Sequence, residues 1–371
     1  MSLKEKYFLT LTALIYLSLG VFSYAYVDLN LTLSQNKFAL FVINNLQNVS
    51  YYNRPEATII YCLLLVASFS IFGINLYFFK KRKFGLKYLF SSLVISSTVL
   101  IFSYPFLSSD VFNYIFDAKI IFKYHLSPYT HKALDFPQDD MIRFMRWTHR
   151  YSPYGPVWLV YSLIPTIFGF GKFILTLFSF KIFIGIFHLI NTFVIFKILE
   201  KQGSTNINYY VALYALNPIF LIEGIANAHN DVVLTFFILT SIYFLKISKK
   251  AHWNITLLFG FFVKYITITI APLFFLNKFS PTAFTYERVV RYSFFVLLVV
   301  TIAFSTIKIS FPLVSSGSTQ TQFQPWYLFW AFPLIPIMQN RLATTILLGL
   351  SFGAMFRYLP FLYYGDWSQP Y

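Results

Sequence analysis

Long apolar runs separated by short polar interruptions dominate the chain. Tyr7–Val27, Ile59–Phe79, Tyr88–Leu107 and Phe173–Leu199 are almost wholly apolar, and each approaches or exceeds the roughly 20 residues that cross a hydrocarbon core. Four such runs exclude a soluble fold. Further apolar stretches cover 206–222, 230–247, 253–277, 290–309, 325–339 and 342–362. The stretch 156–171 is apolar but short and holds Pro165, Gly169 and Gly171, which predicts a re-entrant or interfacial segment. The run 253–277 carries Lys264 near its middle, where a charge costs at least about 2.5 kcal/mol. That run therefore predicts two half-length helices meeting at an external turn near Lys264. The expected architecture is all-α: one polytopic integral membrane domain over 1–371 with about eleven spans. Interfacial or re-entrant helices lie in a large external loop, and no soluble C-terminal domain is expected.

Composition supports this picture. The chain is 57% hydrophobic and 11% charged, with 47 Phe and 28 Tyr, whereas a soluble chain carries about a quarter charged residues. The formal charge of +16 would suggest nucleic acid in a soluble protein. Here the basic residues cluster at the ends of apolar runs: Lys80, Lys81, Arg82 and Lys83 after one, Lys246, Lys249 and Lys250 after another. This is the positive-inside pattern, with cytoplasmic loops beside anionic lipid, so no nucleic-acid partner is expected. Lys4 and Lys6 then place the N-terminus in the cytoplasm. The first run lacks a small-residue cleavage site and reads as a retained anchor. A lone Cys62 excludes an intramolecular disulfide and a thiolate metal cluster.

On this topology the polar chemistry gathers on the external face. The longest polar stretch, 108–155, is uncommon unless it does something. It opens with Ser108-Ser109-Asp110 and continues to Asp117. At helical spacing Asp110, Tyr114, Asp117 and Ile121 share one face, predicting an interfacial helix, with the two carboxylates about 10 Å apart. Asp110 is then either a helix cap or a reactive carboxylate, and Asp117 a solvated charge or a second one. Arg143, Arg146 and Arg150 could grip a phosphate or face lipid headgroups. Tyr154-Gly155-Pro156 follows. Between two later spans come Glu223, Asn227, His229, Asn230 and Asp231, polar groups at membrane depth that are functional by default. The rival is a network closing a helix hairpin. One His among scattered carboxylates gives no recognised ligand spacing, so neither a metal nor a cofactor is expected. Trp326 and Tyr327 fit an interfacial aromatic belt or a substrate platform.

Taken in order, Ser109-Asp110-Val111-Phe112-Asn113-Tyr114 through Ser127-Pro128-Tyr129, Tyr154-Gly155-Pro156-Val157-Trp158, Asn217-Pro218 through His229-Asn230-Asp231, and Gln324-Pro325-Trp326-Tyr327 with Trp330 resemble the GT-C superfamily of membrane glycosyltransferases. The nearest likeness is to polyprenyl-phosphate-mannose-dependent mannosyltransferases of the mycobacterial α-1,6 type. The resemblance implies an outer-leaflet active site in cell-envelope glycan biosynthesis. It implies a polyprenyl-phosphate-linked sugar donor in membrane lipid and a glycan or glycolipid acceptor. Asp110 matches the family's catalytic aspartate, and Asp117 is a second catalytic candidate. Tyr154, Glu223, His229, Asn230, Asp231, Trp326 and Tyr327 would bind substrate. Lys264, Arg143, Arg146 and Arg150 would meet the donor phosphate. The chain departs from the family at Asn113, Ala118-Lys119 and Ser127, where the family often has a basic residue, Gly-Arg and Asn. The expectation is an inverting glycosyl transfer, with mannose the sugar. The rival from another class is a transporter or flippase of lipid-linked saccharide, which would usually show paired repeats that this chain lacks.

Overall fold

A computed structural model of the protein describes residues 1–306 and 322–366, and no strand occurs among them. The chain opens with α1 (Leu3–Ser23), started by a capping box in which Ser2 and Glu5 satisfy each other's backbone N–H groups; such a box quiets two of the orphan donors at a helix start. Glu5 also accepts the Gly85 N–H at 3.1 Å, tying α1 to the start of α4. After the Asn36-capped α2 (Lys37–Ser50) come α3 (Arg54–Lys80) and α4 (Leu86–Ile101). The long polar stretch begins with α5 (Asp110–Phe122), and α6 (Pro156–Ile167) closes it. Then follow α7 (Phe173–Lys201), α8 (Ile207–Ala215), a π-helical turn Phe220–Ala226, α9 (Asp231–Lys246), α10 (Lys250–Val263), α11 (Ala271–Phe279) and α12 (Tyr286–Thr306). Beyond the undescribed segment lie the short α13 (Leu328–Ala331) and α14 (Ile335–Met338), then α15 (Arg341–Ala354) and α16 (Leu359–Tyr364).

The protein is an all-helical membrane protein. Five helices or helix pairs are long and apolar enough to cross a bilayer, at Leu3–Tyr26, Arg54–Lys80, Phe173–Lys201, Tyr286–Thr306 and Arg341–Tyr364. A sixth is counted if Ile207–Ala215 and Phe220–Ala226 form one span bent by 49°. The bend falls at Asn217-Pro218, where proline lacks the N–H that would continue the helix. Four shorter apolar helices, at Leu86–Ile101, Pro156–Ile167, Tyr265–Phe279 and Pro325–Met338, fall short of the length needed to span. The expected count of about eleven is therefore reduced to five or six candidates by length. The last residues of the run expected at 290–309 lie outside the described residues.

The spans carry lipid-type surfaces. Ile59, Leu63 and Val66 on α3, and Ile182, Ile186, Ile190 and Phe193 on α7, are exposed at helical spacing; stripes this apolar suit hydrocarbon, not water. Inside, α9 packs on α7 and α10, α1 on α3 and α4, and α5 on α6 and α7. The break expected at Lys264 is present: α10 ends at Val263, Lys264 is extended, and a 3₁₀ turn follows. The stretch 156–171 is one 12-residue helix, Pro156–Ile167, followed by a turn in which Phe170 and Gly171 are both at positive φ.

One expectation is corrected. The helix holding both carboxylates does not lie on a membrane surface with a wet face. Every residue of α5 from Val111 to Ala118 is buried against protein; inside the fold the Tyr114 hydroxyl donates to Asn230 and Asp117 faces Arg150.

Candidate functional site

The turn before α5 is pinned at three points. Buried Lys181 of α7 donates to the Ser103 carbonyl and hydroxyl. The Tyr104 N–H donates to Ser23 at 2.8 Å, and the Leu107 N–H to the Asn227 side chain at 3.3 Å. These contacts satisfy backbone groups that a helix end leaves orphaned, and they fix where Asp110 begins α5. Its side chain keeps 19% of its exposure, while the candidates behind it have none.

Behind Asp110 stand His229 and Glu223, positioned by irregular backbone. The π-helical turn brings Glu223 inward; π-bulges are frequent at functional sites. Ala228 then adopts φ 57°, the left-handed region that a non-glycine residue enters at a cost of order 1 kcal/mol. This reversal turns His229 back on Glu223. The ring lies with Nδ1 3.7 Å from an Asp110 carboxylate oxygen and Nε2 3.3 Å from Glu223. Neither ring nitrogen makes a hydrogen bond of good geometry. Glu223 accepts from the Asn227 amide at 3.1 Å, and Trp326 stacks on the imidazole at 4.0 Å between centroids.

A second cluster sits two residues on. Lys264 donates to both Asp231 oxygens, at 2.8 and 2.9 Å, and the Trp330 indole N–H donates to one of them at 2.6 Å. Tyr327 stacks on Trp330 at 4.6 Å. The ammonium expected to meet a donor phosphate is thus already balanced by a buried carboxylate. Asn230 accepts from the Tyr114 hydroxyl at 3.4 Å, and Tyr114 packs on Tyr154 at 5.2 Å. The next residue, Gly155, donates to the Val263 carbonyl at 3.2 Å. A Cβ there would lie 2.1 Å from the Phe262 carbonyl oxygen, so the loop meets the helix break only because position 155 has no side chain.

A cavity of about 170 Å³ opens in front of Asp110, lined also by Asp28, Arg146, Gln324, Trp326 and Arg357 and by aromatic rings including Tyr51 and Tyr104. Of the expected site residues, Asp110, Arg146 and Trp326 line it. His229, Asn230, Glu223 and Asp231 are fully buried behind its wall. Arg143 does not belong: exposed, it pairs with Asp140 at 2.9 Å. Arg150 lies against Tyr154 at 5.4 Å and faces Asp117 electrostatically. Burial pushes the Asp117 carboxyl up to about 6, against the pull of Arg150, and one of its oxygens finds no hydrogen bond. Asp28, Gln322, Gln324 and Arg357 were not anticipated as cavity residues. They come from the first inter-span loop and the C-terminal third, and only Gln324 stood in a quoted motif. Arg357 donates to the Phe323 carbonyl and the Gln322 side chain. Among the described residues no group of three or more His, Cys, Asp or Glu could hold a metal ion.

A partly exposed carboxylate backed by an imidazole, facing arginines and aromatic rings in a helical membrane fold, has the groups to accept a proton from a hydroxyl and to balance an anion. The family comparison agrees. Residues 10–279 match the family described as alpha-(1->6)-mannopyranosyltransferase, N-terminal domain, and the chain belongs to that family. It is accordingly a glycosyltransferase, an alpha-mannosyltransferase that takes a sugar donor and a glycan acceptor; the transporter expectation falls away. No individually curated protein and no solved structure matches it.

Proposed function

We propose that the protein transfers mannose from a polyprenyl-phosphate donor to a glycan or lipid-linked acceptor at the outer leaflet, with inversion and with Asp110 as general base. The observation that carries this reading is the placing of Asp110: a helix-start carboxylate at the cavity wall, backed by His229 and sharing the cavity with Arg146 and Trp326. A polyprenyl phosphate is already a fair leaving group. The protein must therefore accept the acceptor's hydroxyl proton and balance charge on the departing phosphate. Asp110 is the group for the first task. Arg146, the one of the three expected arginines that reaches the cavity, serves the second electrostatically, with Arg357 beside it. Lys264 contributes through Asp231 to the shape of the wall. Trp326 offers a ring face to the sugar. In-line attack on a β-linked donor would give the α-linked product that the family description names. The basic clusters at 80–83 and 246–250 support an N-terminus in the cytoplasm and a cavity on the external side.

The test is release of polyprenyl phosphate from a radiolabelled polyprenyl-phosphate-mannose donor by purified protein in nanodiscs, with lipid and glycan acceptors present. Asp110→Asn is expected to lose at least about a hundredfold in turnover, the low end for a general base. Undiminished turnover in Asp110→Asn, with loss in Asp28→Asn, would move the base across the cavity. No turnover by wild type with any acceptor, while the donor binds, would overturn the donor reading.

A further inference from the structure

We infer that His229 and Glu223 form a buried relay that acts through Asp110, taking up the proton the base removes, and do not bind the sugar; this rests on Asp110 being the base. The geometry orders three groups in a line. Asp110 alone touches the cavity, His229 lies 3.7 Å behind it, and Glu223 3.3 Å behind the ring. His229 and Glu223 have no exposed surface, so neither reaches a ligand in the cavity. Glu223 is a buried carboxylate that accepts from the Asn227 amide and faces the His229 ring at 3.3 Å; it gains a neighbouring cation when the imidazole takes up a proton, and a buried carboxylate without one is expensive. The two ring nitrogens are buried and aimed at carboxylates, yet neither is engaged in a good hydrogen bond. Catalytic hydrogen bonds are often long without substrate and tighten in the reacting complex. The stack on Trp326 holds the ring plane, and an aromatic face favours a cation above it.

The step balances as follows. The acceptor oxygen bonds to the anomeric carbon as the carbon–phosphate oxygen bond breaks, and that electron pair leaves with the phosphate. The acceptor's proton passes to Asp110 and on to His229 Nδ1, while the Nε2–H, 3.3 Å from Glu223, tightens onto that carboxylate as the ring becomes charged. The resulting imidazolium lies between two carboxylates. It returns the proton through Asp110 to water when product leaves. The other charged or titratable groups nearby are committed elsewhere: Asp231 to Lys264, Tyr114 to Asn230, while Tyr61 and Tyr358 bear on Glu223.

The test compares wild type, Glu223→Gln, Asp110→Asn and the double variant in nanodiscs, reading kcat and both KM values. Glu223→Gln is expected to lower kcat about ten- to hundredfold, less than loss of the base itself, with both KM values unchanged. In the Asp110→Asn background the same change should cost nothing more, since groups acting as a unit are non-additive. Equal losses on both backgrounds, or a raised KM at unchanged kcat, would overturn the relay while leaving Asp110 as base. Asp110→Asn at the wild-type rate would overturn the base and the relay with it. Should Glu223→Gln fail to melt as a folded protein, His229→Gln, similar in size, carries the same comparison and the same outcomes.

Discussion

Two acid clusters flank the same short segment, and they are built on opposite terms. Around Asp231 every charge is met: two lysine contacts and an indole donor within 2.9 Å. Around Asp110 and Glu223 the imidazole sits at 3.3 and 3.7 Å without a well-formed hydrogen bond. The first arrangement is saturated and has nothing left to offer a reactant. The second leaves both ring nitrogens without a hydrogen bond and has an opening to the cavity. On the proposed function, saturation goes with a structural cluster and incompleteness with a working one, although both lie in sequence within Glu223–Asp231 and its distant partners.

The difference can be broken most forcefully at the saturated end. Lys264→Met strands Asp231 as a buried carboxylate, and removing one member of a buried pair costs about 3–5 kcal/mol, read as a fall in melting temperature in detergent. A normal melt with lost turnover would instead make Lys264 a ligand of the donor. At the open end, Asp110→Asn should leave melting close to wild type while turnover falls at least about a hundredfold, or about 2.7 kcal/mol. A third carboxylate sharpens the contrast. Asp117 is two turns along the same helix, and its folded-state value is raised from 3.8 to about 6 by burial. The folded state therefore holds that proton more tightly than the unfolded chain. Its contribution is fully present below about pH 4 and is lost as pH rises through about 6. Between pH 5 and pH 7 this amounts to about 1 kcal/mol, which Asp117→Asn should remove from the pH dependence of melting while sparing most of the activity. A flat wild-type profile would mean Asp117 is ionised throughout. Smallest of all, Arg143→Ala should change stability by less than about 0.5 kcal/mol and leave donor KM alone. Arg146→Ala, at the cavity, should raise that KM.

What the sequence disclosed follows the physics that is local. Apolar runs announce membrane helices, and the cost of Lys264 inside one announces the break there. The long polar stretch and the polar residues at span ends point to the corner of the fold that the proposed site occupies. The rest depends on distance. That Lys264 belongs to Asp231, 33 residues away, decides its role, and spacing carries no trace of it. Arg143, Arg146 and Arg150 look equivalent along the chain. They part company because Asp140, the cavity and Asp117 each claim one of them. The inward turn of Glu223 needs a π-helical widening and a left-handed alanine, which no hydrophobic period reports. The amphipathic reading of α5 assumed water on its polar side and could not see Tyr154 and Asn230 waiting there. Arg357 and Gln322 join the cavity from the far end of the chain.

Gly155 leaves less clearance than a hydrogen-bearing carbon would need between its own backbone and that of Phe262. The loop before α6 and the kink at Lys264 therefore touch like two gear teeth, with no compressible side chain to take up play. Tyr154, one residue before this contact, packs on Tyr114 of the helix that carries Asp110, so a shifted kink would press on that helix through two rings. A single methyl group at 155 would act as a wedge, forcing the loop that carries Tyr154 away from the break at Lys264 even if every polar residue of the site were intact.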